Sequence, residues 1–163
     1  MVDIAWDLTK GLPFLSSNQF DAIISEHFFE HIPRRAASDL IRECFRSLRG
    51  GGTIRIAMPC LDGLIEKYRG GAHFTDQAQD TGEFGAANGP LHCTRGEWLN
   101  VAMRSWNHTY IYNFEDLAVL LGNIGFSDVR RETHGHSGIG MLVGRETRPP
   151  EESDLIAEAT KPG

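Results

Sequence analysis

The chain has 163 residues, 40% hydrophobic and 23% charged, which is enough for one ordinary core and too apolar for a disordered chain. Its net charge of −6 argues against a protein that holds a phosphate backbone by bulk attraction, so nucleic acid is not the expected partner. No apolar run approaches the roughly 18–20 residues that cross a bilayer, residues 1–7 lack the features of a signal peptide, and the 3 cysteines have no paired spacing, so a reducing cytoplasm with no membrane is the expected setting.

In chain order, Val2–Trp6 predict a short strand running into Asp7. Leu12-Pro13-Phe14 and Ser16-Ser17-Asn18 read as loop, and Phe20–Ser25 as a strand covered on both faces. Pro33 opens a helix in which Ala37, Leu40, Ile41, Cys44, Phe45 and Leu48 recur at spacings of three and four, and Gly50–Gly52 are expected to stop it. Thr53–Met58 alternates like a strand and ends at Pro59. Strand, helix and strand make a βαβ unit with two parallel strands, and the fold class is α/β.

Leu61–Arg69 and Glu97–Trp106 predict two short helices, the second with Trp98, Ala102 and Trp106 on a face that packs the core. A glycine-rich loop separates them, and residues 60–112 together form an insertion on the substrate side. Asn113 is an N-cap, Leu117, Leu120, Leu121 and Ile124 are a buried stripe, and Gly125 is the stop before Phe126. Ser127–Thr133 and Met141–Thr147 are expected to close the fold as an antiparallel hairpin. That leaves one domain over residues 1–147 and a flexible tail over 148–163.

In an open parallel sheet, ligands gather beyond the carboxyl ends of the strands. The predicted ends are Asp7-Leu8, Ser25-Glu26-His27 and Pro59-Cys60. An ionised carboxylate after the first strand accepts from an exocyclic amine or a ribose hydroxyl, with Leu8 beside it to cover a flat ring. A plain turn-forming role for Asp7 is the alternative.

The order and spacing of Val2–Leu8, Phe20–His27, Glu30-His31-Ile32, Arg42–Leu48, Gly51-Gly52, Thr53–Pro59, Tyr112–Leu117 and Gly125-Phe126 resemble the middle and C-terminal part of class I S-adenosylmethionine-dependent methyltransferases. The resemblance implies an incomplete Rossmann-like sheet in three α/β/α layers, mostly parallel with a C-terminal antiparallel hairpin. It also implies S-adenosylmethionine as cofactor and methyl transfer to a small-molecule acceptor. Asp7 would sit at the adenine amine with Leu8 at the ring, and Ser25, Glu26 and His27 would line the methionine side. The family's opening strand, glycine-rich turn, helix and second strand have no counterpart here. The chain is therefore expected to be a truncated or degenerate member, with the bare edge of Phe20–Ser25 pairing it to a second copy.

An imidazole titrating near neutrality suits removal of a proton from a hydroxyl acceptor, which singles out His27, His31 and His108 as candidate catalytic residues. Two other readings are carried alongside. His27-Phe28-Phe29-Glu30-His31 matches H-x-x-E-H, the inverted zinc-peptidase pattern with two imidazoles one helical turn apart. No third ligand is marked, so no metal set is assigned, although a metal role for Glu30 and His31 within a methyltransferase-like site stays open. The other reading is a non-catalytic interaction module that keeps the sheet and has lost the cofactor cradle.

Overall fold

The computed structural model describes residues 4–72, 87–89, 92 and 94–163. Phe20–Glu26 (β1), Arg34–Ser47 (α1) and Leu48–Met58 (β2) form the expected βαβ unit, with Ala22 to Glu26 paired in parallel to Thr53 to Ala57. Leu61–Arg69 (α2), Arg95–Arg104 (α3) and Phe114–Ile124 (α4) follow, then Ser127–Glu132 (β3) and Leu155–Thr160 (β4). The sheet order is β1-β2-β4-β3, with β4 antiparallel to both of its neighbours. The α/β class expected from the sequence is the one observed.

Alternation along the strands divides the sheet into two unlike faces. Ile54, Ile56 and Met58 of β2 and Leu155, Ala157 and Ala159 of β4 share one core with Leu40, Ile41 and Cys44 of α1 and Leu117, Leu120 and Leu121 of α4. Helix α4 is capped as predicted. Asn113 accepts the Asp116 N–H at 3.0 Å, and the chain leaves through Gly125 at φ +120, where a Cβ would lie 3.2 Å from the Phe45 ring. Phe126 then meets Phe45 edge-on at 4.9 Å. On the other face lie Arg55 and Glu158, both 0% exposed, under the segment 133–154. Arg55 donates from Nη1 to Glu158 at 2.5 Å and from Nε to Glu146 at 2.6 Å.

Several expectations fail, and each failure has a cause outside the local pattern. Residues 4–7 form no strand: with no neighbouring strand among the described residues to pair with, the chain turns at Leu8–Lys10. Gly50–Gly52 do not stop α1. The helix ends at Ser47, Leu48 is already extended, and the glycines lie in β2, where residues 49–52 bulge opposite Asp21. Only glycine fits at 52, since a Cβ would meet the Arg49 and Phe20 carbonyl oxygens at 2.9 and 3.0 Å. Met141–Thr147 is not a strand; a 3-10 turn at Gly140–Leu142 drives Leu142 into full burial instead. Residues 148–163 are not a flexible tail, because Leu155–Thr160 is the strand between β2 and β3. Trp106 leaves the α3 face altogether, at φ +57 and 67% exposed. Most of the glycine-rich loop between α2 and α3, and Cys93, lie outside the described residues.

Candidate functional site

Strand β1 ends at Glu26, and His27 extends its pairing by donating its N–H to the Ala57 carbonyl at 2.9 Å. The chain then reverses through His27 at φ +49 into a 3-10 turn, Phe29–His31, which buries Phe29 and Glu30. The Glu30 carbonyl of that turn captures a second segment. Glu30 O accepts from Thr109 N at 2.7 Å, from Thr109 Oγ1 at 3.2 Å and from Tyr110 N at 3.2 Å. This strap lays His108 against His31, ring centroids 4.8 Å apart, with the Trp106 indole 5.7 Å from His108. Helix α3, opened by a capping box between Thr94 and Glu97, delivers the strap.

Glu30 is the centre of the cluster. Its carboxylate is 0% exposed and neither oxygen accepts a hydrogen bond; the nearest groups to Oε1 are His27 Nδ1 at 3.1 Å and His31 Nε2 at 3.7 Å. His27 Nε2 lies 3.0 Å from Ser153 Oγ. His108 Nδ1 lies 3.3 Å from the Ala102 carbonyl. A carbonyl only accepts, so Nδ1 carries the proton and Nε2 of the neutral ring keeps its lone pair. Burial, and then the neighbouring His31, hold the His108 pKa below its ordinary value.

A cavity of about 500 Å³ opens over this cluster, lined by His27, His31, Leu64, Lys67, Trp106 and His108 together with residues of the segment 148–154. That size suits a small molecule. Two of the lining residues, His27 and Trp106, hold left-handed backbone that costs non-glycine residues of order 1–3 kcal/mol each.

The three histidines singled out from the sequence therefore come together. The H-x-x-E-H helix does not form: a single 3-10 turn replaces it, and His27 stands before that turn with its Nδ1 on Glu30, so the two imidazoles do not share an α-helix face. Glu30 as the shared centre, Ser153 behind His27, and Lys67 and Trp106 on the cavity wall escaped sequence reasoning. The one local signal was an acid inside the apolar run Phe28-Phe29-Glu30-His31-Ile32.

The residues that the resemblance assigns to the cofactor each make contacts within the chain. Asp7 is exposed and accepts from Thr9 Oγ1 at 2.6 Å and Thr9 N at 3.1 Å; these bonds hold its pKa below the ordinary value. Leu8 packs against the edge of the core. Ser25 lies in β1 opposite Ile56. Glu26 fastens the far loop, accepting from Thr147 N and Arg148 N at 2.9 Å each and from Thr147 Oγ1 at 2.5 Å. Asp7 and Glu26 share no hydrogen-bonding partner, and both carboxylates are committed to the chain's own turns.

Burial raises the Glu26 pKa, but the bonds from Thr147 and Arg148 outweigh it, and the net value is lowered. A carboxylate lowered on folding stabilises above its unfolded pKa of about 4.3, and that contribution is lost as pH falls through the lowered folded value. Glu26→Gln is therefore expected to be less stable than the wild type at pH 7 and to converge with it in acid. Urea melts across pH test this; a gap that stays constant down to the acid limit would contradict it.

Comparison with known proteins agrees with this architecture. Residues 4–56 match the model of a methyltransferase domain. No curated protein matches the chain. Among solved structures, a SAM-dependent methyltransferase from Archaeoglobus fulgidus is similar at 16% identity and TM-score 0.55, over 97% of this chain and 66% of that one. The S-adenosylmethionine-dependent methyltransferase SibL is similar at 17% identity and TM-score 0.53, over 98% of this chain and 35% of its own. One from Methanosarcina mazei is similar at 16% identity and TM-score 0.51, over 91% of this chain and 62% of its own. The chain thus spans between 35% and 66% of the length of these structures. Residues 4–56 thus match a methyltransferase domain, and the fold of the chain is similar to that of S-adenosylmethionine-dependent methyltransferases.

Proposed function

We propose that the chain serves S-adenosylmethionine-dependent methyl transfer to a small-molecule acceptor, and that the cavity beyond β1 is its acceptor side. The observation that carries this reading is the meeting of His27, His31 and His108 around buried Glu30 at the carboxyl end of a strand, where ligands of open α/β sheets bind. His108 takes the acceptor's proton, because Nδ1 is tied to Ala102 and Nε2 holds the lone pair. His27, anchored between Glu30 and Ser153, and His31 orient the acceptor, and the exposed Trp106 indole gives it a flat apolar wall. The Asp7 and Glu26 carboxylates already accept hydrogen bonds from the chain itself, so no step is routed through the donor. The outer edge of β1 carries no strand among the described residues, and pairing with a second copy would use it.

One observation favours a second reading, a non-catalytic interaction module: both acids assigned to the cofactor are already satisfied within the chain. Calorimetry with S-adenosylmethionine separates the two. Saturable binding supports methyl transfer, and none at millimolar donor leaves the module. With an acceptor in hand, His108→Ala is expected to slow transfer about 10²–10⁴-fold with donor affinity unchanged. An unchanged rate would remove His108 from the chemistry.

A further inference from the structure

The Glu30 carboxyl group is 0% exposed, and neither oxygen has a hydrogen-bond partner, although the His27 and His31 imidazoles stand 3.1 and 3.7 Å from Oε1. Such a group is costly unless a positive charge faces it. One ligand atom each from Glu30, His31 and His108 lie within 4.8 Å of one another, and the two imidazoles are only partly buried. Donor atoms around a first-row ion held at about 2.0–2.2 Å lie roughly 3 Å apart, so modest turns of the two rings bring the set to bonding distance. His27 Nδ1, 3.1 Å from Glu30 Oε1, can hold the carboxylate in place from outside the set, as supporting groups around metal ligands do. The adjoining cavity of about 500 Å³ leaves room for water or an acceptor oxygen in the remaining positions.

We propose that Glu30, His31 and His108 bind one divalent transition-metal ion, of the zinc, cobalt or manganese class, at a site open to the cavity. Two imidazoles and one carboxylate suit such borderline ions, whereas magnesium and calcium prefer sets made of oxygen alone. The ion supplies the charge that Glu30 lacks. It would also change how an acceptor is activated: a hydroxyl on the ion would lose its proton more readily, to solvent through the open cavity, with His108 as a ligand in place of a proton acceptor. The site does not depend on the methyl-transfer reading, because the ion is read with no S-adenosylmethionine present.

The test is titration of the chelator-stripped full chain with cobalt(II) alone, followed by visible absorption and by the unfolding temperature. We expect one saturating equivalent, a visible ligand-field band and a raised unfolding temperature. Glu30→Gln and His108→Ala are each expected to weaken binding by at least about 10–100-fold, while His136→Ala, in an exposed loop, leaves it unchanged. Circular dichroism checks the fold of Glu30→Gln. His108→Ala, which loses one hydrogen bond, to Ala102, and the ring contacts with His31 and Trp106, decides the matter if that variant fails to fold. No saturating equivalent in the wild type, or equal binding by His108→Ala, would overturn the site. Either result leaves the calorimetric test of donor binding untouched, so the two failures are distinguishable.

Discussion

Arg55→Leu is expected to cost about 3–5 kcal/mol of stability, the range for removing one partner of a buried ion pair. Arg55 sits in β2 at 0% exposure between Glu158 of β4, also 0% exposed, and Glu146 of the covering segment, whose side chain is 2% exposed. Removing the guanidinium leaves two carboxylates out of water, with Arg130, 3.5 Å from Glu158 Oε2, the remaining cation beside them among the described residues. At roughly 2–4 °C per kcal/mol for a chain of this size, the loss is plain in a thermal melt and in urea unfolding. Replacing Arg55, Glu146 and Glu158 together by apolar residues of similar volume is expected to come much closer to neutral, because no buried charge then remains. A loss under about 1 kcal/mol for Arg55→Leu alone would mean that water reaches the cluster and that segment 133–154 does not seal this face.

Deletion of residues 155–163 is expected to abolish cooperative folding. Leu155 and Ile156, 0% and 1% exposed, contribute roughly 1.5–3 kcal/mol each by burial alone. Strand β4 also pairs with β2 on one side and β3 on the other, so its loss takes β3 off the sheet and leaves Arg55 without Glu158. Set against a total stability of about 5–15 kcal/mol, the fold has no reserve for this. Circular dichroism melts of the shortened chain check it. A sharp transition near the wild-type temperature would show that Leu155–Thr160 is dispensable and that the sheet order is misassigned.

The parts legible in the sequence are those whose cause is local. Helices α1 and α4 announce themselves by apolar spacing, with Pro33, Asn113 and Gly125 marking their ends, and β1 by its short apolar run. The rule that ligands gather at carboxyl ends of strands drew attention to His27, the H-x-x-E-H pattern to His31, and His108 stood out as an imidazole just before a capped helix. Strand β4 stayed hidden because Glu158 interrupts an apolar run, and the residue that makes it tolerable, Arg55, lies 103 positions away. Asp7 misled for the reverse reason. Its strand-end pattern is real, but a strand needs a neighbour, and without one the carboxylate turns back on Thr9. Glu30 was visible as a letter in a pattern, and its burial between imidazoles depends on the strap at 108–110, which no spacing reveals.

Nitrogen-15 NMR of the imidazoles in chelator-stripped protein at neutral pH tests the acceptor site most directly, since the proposed chemistry turns on which nitrogen of His108 is free. We expect a neutral ring with its proton on Nδ1, tied to the Ala102 carbonyl, and a lone pair on Nε2. A cationic His108, or a neutral one carrying its proton on Nε2, would contradict that arrangement.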